Sequence, residues 1–157
     1  TNEKVFILTS ENKIQFKIGK VKLTSKVIDG KLPDYRKVVP QGHDRILTVM
    51  SKEFVEAIER VATVSLDRKE GVKLVINKDK IKLSVNSTNS GEGNEIIKAN
   101  FTSDEMTVSF NSKYLVDVAT AVEDKNLKIN FKDPVSPVLV EDMSDKNSFY
   151  VVMPMKI

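Results

Sequence analysis

Ile46-Leu47-Thr48-Val49-Met50-Ser51-Lys52-Glu53-Phe54 and Met106-Thr107-Val108-Ser109-Phe110-Asn111-Ser112-Lys113-Tyr114 decide the fold, because they are two copies of one pattern. Each opens on a short strand-like run and passes through a polar residue into apolar positions at helical spacing. In the first copy Ser51 is the predicted N-cap, since a hydroxyl can accept from a free first-turn N–H. Phe54, Ile58, Val61 and Ala62 then form the apolar stripe, with Lys52, Glu53, Glu56, Glu59 and Arg60 opposite. In the second copy Asn111 is the cap, and Leu115, Val118, Ala119 and Val122 are the stripe. After the first helix Gly71 closes the connection, and strands follow at 72–76, 81–85 and 95–101, with a turn at 77–80 and a Ser/Asn/Gly loop at 86–94. After the second helix come strands at 127–131, 135–140 and 149–153. A strand, a helix and three strands, twice over, predict one α+β domain with internal pseudo-symmetry and two helices on one face of a continuous antiparallel sheet.

Ahead of this unit the chain reads differently. Val5-Phe6-Ile7-Leu8, the alternating run at 14–18 and a second run at 21–28, broken by Gly19, form a meander with no helix. No basic n-region precedes the first run, so it is not a signal peptide. By itself the stretch is equally the tail of a sheet whose beginning lies elsewhere or the opening hairpin of a complete protein.

Composition narrows the function classes. With 157 residues, 40% apolar and 30% charged, the chain can build a core and a solvated surface. There is no cysteine, which excludes disulfides and thiolate zinc sites, and only one histidine, His43. No run of roughly 18 apolar residues is present to span a membrane as a helix. The net charge is +3, and lysine outnumbers arginine 21 to 4, which suits loose phosphate contact better than base reading.

Catalytic chemistry finds little footing. No Gly-rich phosphate loop, nucleophile elbow or metal signature occurs. Asp142 and Asp145 flank a polar turn and read as a solvated hairpin tip ahead of a cation site; His43, after Gly42, reads as a surface histidine ahead of a general base. The lysines on strands, Lys80, Lys82 and Lys128, read as the polar face of half-solvated strands. The end of the chain carries more. Tyr150-Val151-Val152-Met153-Pro154-Met155-Lys156-Ile157 stays apolar to its last residue. A final buried strand accounts for 150–153, but Pro154 cannot donate to a ladder, so Met155 and Ile157 fall outside the sheet, where methionine suits an irregular partner; on spacing alone the buried-core reading of the tail still stands ahead of the partner-binding one.

Four segments resemble the bacterial sliding clamp, the beta subunit of DNA polymerase III, in order and at family spacing. They are Leu23-Thr24-Ser25-Lys26-Val27-Ile28-Asp29-Gly30-Lys31-Leu32-Pro33-Asp34-Tyr35-Arg36-Lys37-Val38-Val39-Pro40, then Phe110-Asn111-Ser112-Lys113-Tyr114-Leu115-Val116-Asp117-Val118, then Asp133-Pro134-Val135-Ser136-Pro137-Val138, and the ending at 150–157. The resemblance implies that residues 1–33 are the last strands of a middle clamp domain and 34–157 a third domain. It implies a ring in which two three-domain chains close head to tail around duplex DNA, with no cofactor, no metal and no catalysis, in the bacterial cytoplasm at the nucleoid. Its partners would be the DNA polymerase III alpha subunit, the clamp loader and repair proteins, captured through motifs of the form Gln-Leu-x-Leu-Phe in an apolar cleft.

Carried over position by position, this chain's share of that cleft is Pro33, Lys37, Val38, Asn111, Tyr114, Val135, Pro137, Val151, Val152, Met153, Pro154, Met155, Lys156 and Ile157. Lys37 and Lys156 stand where arginine is common, Pro137 where a serine can occur, and Lys69 where some members have an aromatic residue; these departures touch the rim. The implied dimer face is Thr63 and Val64 with Glu95, Ile96 and Ile97. The DNA-facing candidates are Lys52, Arg60 and Lys113, although Glu53, Glu56 and Glu59 share the first helix and leave a mixed solvated face as an equal reading. The alternatives are a stand-alone lysine-rich nucleic-acid-binding domain and a small lysine-rich enzyme, the latter disfavoured by the lack of an acid, base and nucleophile set.

Overall fold

The computed structural model describes residues 4–30, 34, 39–65, 71–88 and 90–156. The chain divides into two compact units, Thr1–Asp34 and Tyr35–Ile157. In the first, β1 (Val5–Thr9), β2 (Lys13–Ile18) and β3 (Val21–Lys26) pair antiparallel in the order β1-β2-β3. Gly19, at φ +53, makes the β2–β3 turn that a Cβ-bearing residue would strain. The third strand stops at Lys26, short of residue 28, and the Val27 amide turns back to the Asn12 carbonyl at 3.0 Å.

The second unit contains β4 (Arg45–Met50), α1 (Ser51–Ala62), β5 (Gly71–Ile76), β6 (Lys80–Ser87), β7 (Gly91–Lys98), β8 (Asn100–Phe101), β9 (Met106–Asn111), α2 (Ser112–Ala121), β10 (Asn126–Phe131), β11 (Val138–Glu141) and β12 (Phe149–Val152). The duplicated β-α-β-β-β order is as the sequence predicts, but the strands form two antiparallel sheets rather than one continuous sheet. Their orders are β7-β6-β5-β9 and β12-β11-β10-β4-β8. Each sheet therefore takes the three later strands of one copy and the opening strand of the other. The break lies at Ala99. Its amide and that of Phe101 donate to Asp79 and Lys78 carbonyls in the β5–β6 turn, after which Phe101 pairs with Leu47 in the other sheet. The two copies thus interlock, and neither buries its apolar faces alone.

Alternation places Val72, Leu74 and Ile76 of β5, Ile81, Leu83 and Val85 of β6, and Leu127, Ile129 and Phe131 of β10 in one core. Phe54, Ala57, Ile58, Val61 and Ala62 of α1 and Leu115 and Ala119 of α2 close it, and the helices pack on each other. Phe131 links the sheets: its ring lies 6.2 Å from Phe101, edge-on, and 6.5 Å from Phe110.

Three local expectations need correction. Ser51 is not a cap: Met50 holds that position without a side-chain bond, and the Ser51 hydroxyl is buried without a partner. The Ser51 amide instead donates to the Lys125 carbonyl at 2.9 Å, so the β10 approach does the capping. The expected 86–94 loop is mostly hairpin, with Asn86 opposite Glu92 and Ser87 opposite Gly91, and Gly91 supplies the turn at φ +105. The strand expected from residue 135 starts at Val138. Asp133 accepts from the Ser136 hydroxyl and from the amides of Val135 and Ser136, and these bonds, the hydroxyl's first, hold its carboxyl below the usual range.

At the hairpin tip, Asp142 is buried. It accepts from the Ser144 hydroxyl at 2.6 Å, the Ser144 amide at 2.8 Å and the Glu123 amide at 2.9 Å. These bonds, the hydroxyl's first, lower its pKa to about 2. A carboxylate depressed in the fold stabilises above its unfolded pKa, roughly 3.9, and that contribution is lost as pH falls toward 2. Asp142→Asn is therefore expected to unfold more easily than wild type at pH 7 and to converge with it near pH 2, as followed by denaturant melts across that range.

Candidate functional site

After Val152 the chain leaves the ladder, as Pro154 requires, and crosses from the edge of one sheet to the edge of the other. There the Met155 amide donates to the Ser109 carbonyl of β9 at 2.7 Å, and the Met155 sulfur settles against Gly71, the residue paired with Asn111. Asn111 is the cap the sequence predicts, accepting from the amides of Lys113 at 3.0 Å and Tyr114 at 3.4 Å. Tail and helix start are thus joined through three residues: Met155, Gly71 and Asn111, with Tyr114 following.

Met153 and Tyr114, each 59% exposed, and Met155 at 38% stand partly in solvent at this junction, and Val135, in the loop ahead of β11, is 74% exposed. Val151 and Pro154 are half-buried, Val152 is buried, and Lys156 is exposed. The half-buried Pro137 presents its carbonyl to His43 Nε2 at 3.1 Å, so the histidine read as a surface residue instead pins this loop, with Nε2 as donor. Pro33, Lys37, Val38, Ile157 and the rim residue Lys69 lie outside the described residues. Gly71 and Ser109 were missed by the sequence reading. Ser109 acts through its backbone, which no side-chain pattern reveals.

The other implied faces lie around α1. Arg60 grips Glu95 with two bonds of 2.6 and 3.0 Å and lies 3.7 Å from Glu56. The Arg60 bonds hold the Glu95 carboxyl below its usual range. This DNA-facing candidate therefore spends its guanidinium tying α1 to β7. Lys52 reaches Glu56 at 3.8 Å, while Lys113 is exposed on the first turn of α2. Of the implied dimer residues, Ile96 is 62% exposed on the edge strand β7, Ile97 is buried, Thr63 is the C-cap of α1, and Val64 follows it. β7 approaches α1 closely at Gly93, where a Cβ would stand 2.8 Å from the Val61 carbonyl oxygen and 3.2 Å from its Cα. The obstacle is backbone, so Gly93→Ala is expected to lower the unfolding free energy by about 1–3 kcal/mol, measured by chemical denaturation.

A groove of about 680 Å³ between the helices is lined by Ile58, Glu59, Ala62, Ser65, Lys113 and Asp117, among others. Its charges are mixed. No described helix is long and apolar enough to cross a membrane.

Residues 36–156 match the family model described as DNA polymerase III beta subunit, C-terminal domain. The chain belongs to the bacterial beta sliding clamp family. It is 36% identical over 155 residues to the beta sliding clamp of Caulobacter vibrioides, covering 99% of this chain and 42% of that protein. With the Escherichia coli K12 clamp it shares 34% over 146 residues, covering 93% and 40%. Among solved structures, the Bartonella birtlesii clamp bound to griselimycin superposes with a TM-score of 0.86 at 40% identity, over 98% of this chain and 41% of that one. The Caulobacter crescentus clamp gives 0.86 at 36% identity, covering 98% and 41%. The chain thus spans about two-fifths of these clamps' length, and its interlocked two-sheet unit is a clamp domain fold.

Proposed function

We propose that this chain supplies the third domain of a ring-forming replication clamp and, from that domain, one wall of the cleft that captures partner peptides. Residues 1–33 would be the last strands of the preceding domain and 34–157 the third. The observation that carries the reading is the tail. Met153 and Met155 stand partly exposed beyond the last strand, and Met155 is fixed by its amide to Ser109 beside the Tyr114 helix start. A preformed apolar wall whose backbone is held in place suits capture of a short motif such as Gln-Leu-x-Leu-Phe from the DNA polymerase III alpha subunit, the clamp loader or repair proteins. The griselimycin-bound relative fits a clamp that carries such a cleft.

As a protein of its relatives' length it would close as a homodimer, with Thr63, Val64, Glu95, Ile96 and Ile97 at the junction, a heterologous contact closed by rotation. Duplex DNA would pass through without base reading, held by topology and loose lysine contacts from Lys52 and Lys113, in the bacterial cytoplasm at the nucleoid. The protein would tether polymerase and itself catalyse nothing. The stand-alone nucleic-acid-binding reading is not favoured, since α1 offsets its cations with Glu53, Glu56 and Glu59.

The test is a chimaera in which this segment replaces the matching 42% of the Caulobacter vibrioides clamp. It is expected to bind a Gln-Leu-Ser-Leu-Phe peptide saturably and to stay on nicked circular DNA until the circle is linearised. Loss of both properties in a folded chimaera overturns the reading. The 157-residue chain itself is expected to show only weak, salt-sensitive binding to linear duplex, and tight binding there would favour the stand-alone alternative.

A further inference from the structure

Gly71 follows the connection after α1 and looks like a turn glycine, but its backbone says otherwise. It begins β5 in register with Asn111, and it is not among the glycines at positive φ, which are Gly19, Gly42 and Gly91. Any residue can adopt its backbone conformation, so what glycine supplies there is room. A Cβ at Gly71 would stand 3.0 Å from the Met155 sulfur and 3.6 Å from its terminal methyl, closer at the sulfur than ordinary packing allows, and 3.3 Å from the Phe110 carbonyl oxygen. The sulfur therefore occupies the space a side chain would fill. Because Gly71 pairs with Asn111, the same seat fixes the tail against the strand end that launches Tyr114.

We infer that Gly71 is a positioning residue for peptide docking: its missing side chain is the socket that holds Met155, and through it the tail wall, at the start of α2. The inference rests on the docking reading above and assigns it a residue outside the apolar wall. An alanine methyl requires the Met155 sulfur, at 3.0 Å, and the Phe110 carbonyl of β9, at 3.3 Å, each to give by a few tenths of an ångström, and the flexible end of the methionine yields more readily than the paired strand. The consequence is a displaced anchor in a folded domain.

The experiment is a double-mutant cycle in the chimaeric clamp, titrated with a Gln-Leu-Ser-Leu-Phe peptide, with thermal unfolding of each variant in parallel. Gly71→Ala is expected to weaken peptide binding about tenfold, within the range found for side chains in contact, and to do so in wild type only. In the Met155→Ala background the same change is expected to alter affinity less than about twofold, because the socket is then empty. A Gly71→Ala chain that binds as wild type, or that loses the same factor in both backgrounds, overturns the inference. A methyl resonance of Met155 that does not move in Gly71→Ala overturns it as well. Should Met155→Ala and Tyr114→Ala each leave peptide binding unchanged, the docking reading fails and takes the inference with it. Should those two weaken binding while Gly71→Ala does not, only the socket is wrong.

Discussion

Phe131→Ala is expected to lower the unfolding free energy by about 3–5 kcal/mol, a large part of the roughly 5–15 kcal/mol that holds a domain together. Phe131 is fully buried on β10 and is the ring shared by two aromatic contacts, with Phe101 on β8 and Phe110 on β9. The first partner lies in its own sheet and the second in the other, so truncation opens a cavity where the interlocked copies meet. Collapse around it is hindered because both neighbours are held by strand pairing, Phe101 opposite Leu47 and Phe110 opposite Val72. Chemical denaturation by two probes should show one cooperative loss. A loss below about 1 kcal/mol would mean that the two sheets do not share a core there.

The double variant Met153→Ala/Met155→Ala is expected to weaken peptide binding by about thirtyfold or more, the loss typical when an anchor of about 2 kcal/mol is truncated. The domain itself should lose little stability. Met153 is mostly exposed, both residues follow the last strand, and alanine keeps the amide that reaches Ser109. A binding loss without a stability loss separates a docking wall from a core strand, which are the two readings the sequence leaves open for this tail. Calorimetric titration and thermal melts on the same samples check both halves.

Most of the fold is legible in the sequence because it repeats itself. The match of Ile46-Leu47-Thr48-Val49 to Met106-Thr107-Val108-Ser109, with a helix following each, gives element order and type. Sheet partition is not legible, since pairing β4 with β10 and β5 with β9 depends on contacts far apart in sequence. Ser51 shows the limit of capping rules: a favourable residue type stands at the helix start, but a carbonyl from Lys125 arrives first. Of the docking side chains, the exposed methionines are legible as an anomaly, and Asn111 as a cap. Gly71 is not, because a glycine after a helix reads as a turn until the space it leaves is seen filled by Met155. Arg60 likewise reads as a free cation on a polar face until Glu95 arrives from β7, a neighbour in space and not in sequence.

The central claim, that the tail is a docking wall, is tested most directly by titrating the 157-residue chain, labelled at its methionine methyl groups, with a Gln-Leu-Ser-Leu-Phe peptide. The account predicts saturable shifts at Met153 and Met155, with Met50 on the far end of β4 and the buried Met106 unmoved. Saturable shifts confined to other methionines would contradict it, as would the absence of shifts at Met153 and Met155 in the chimaeric clamp at concentrations that saturate its peptide binding.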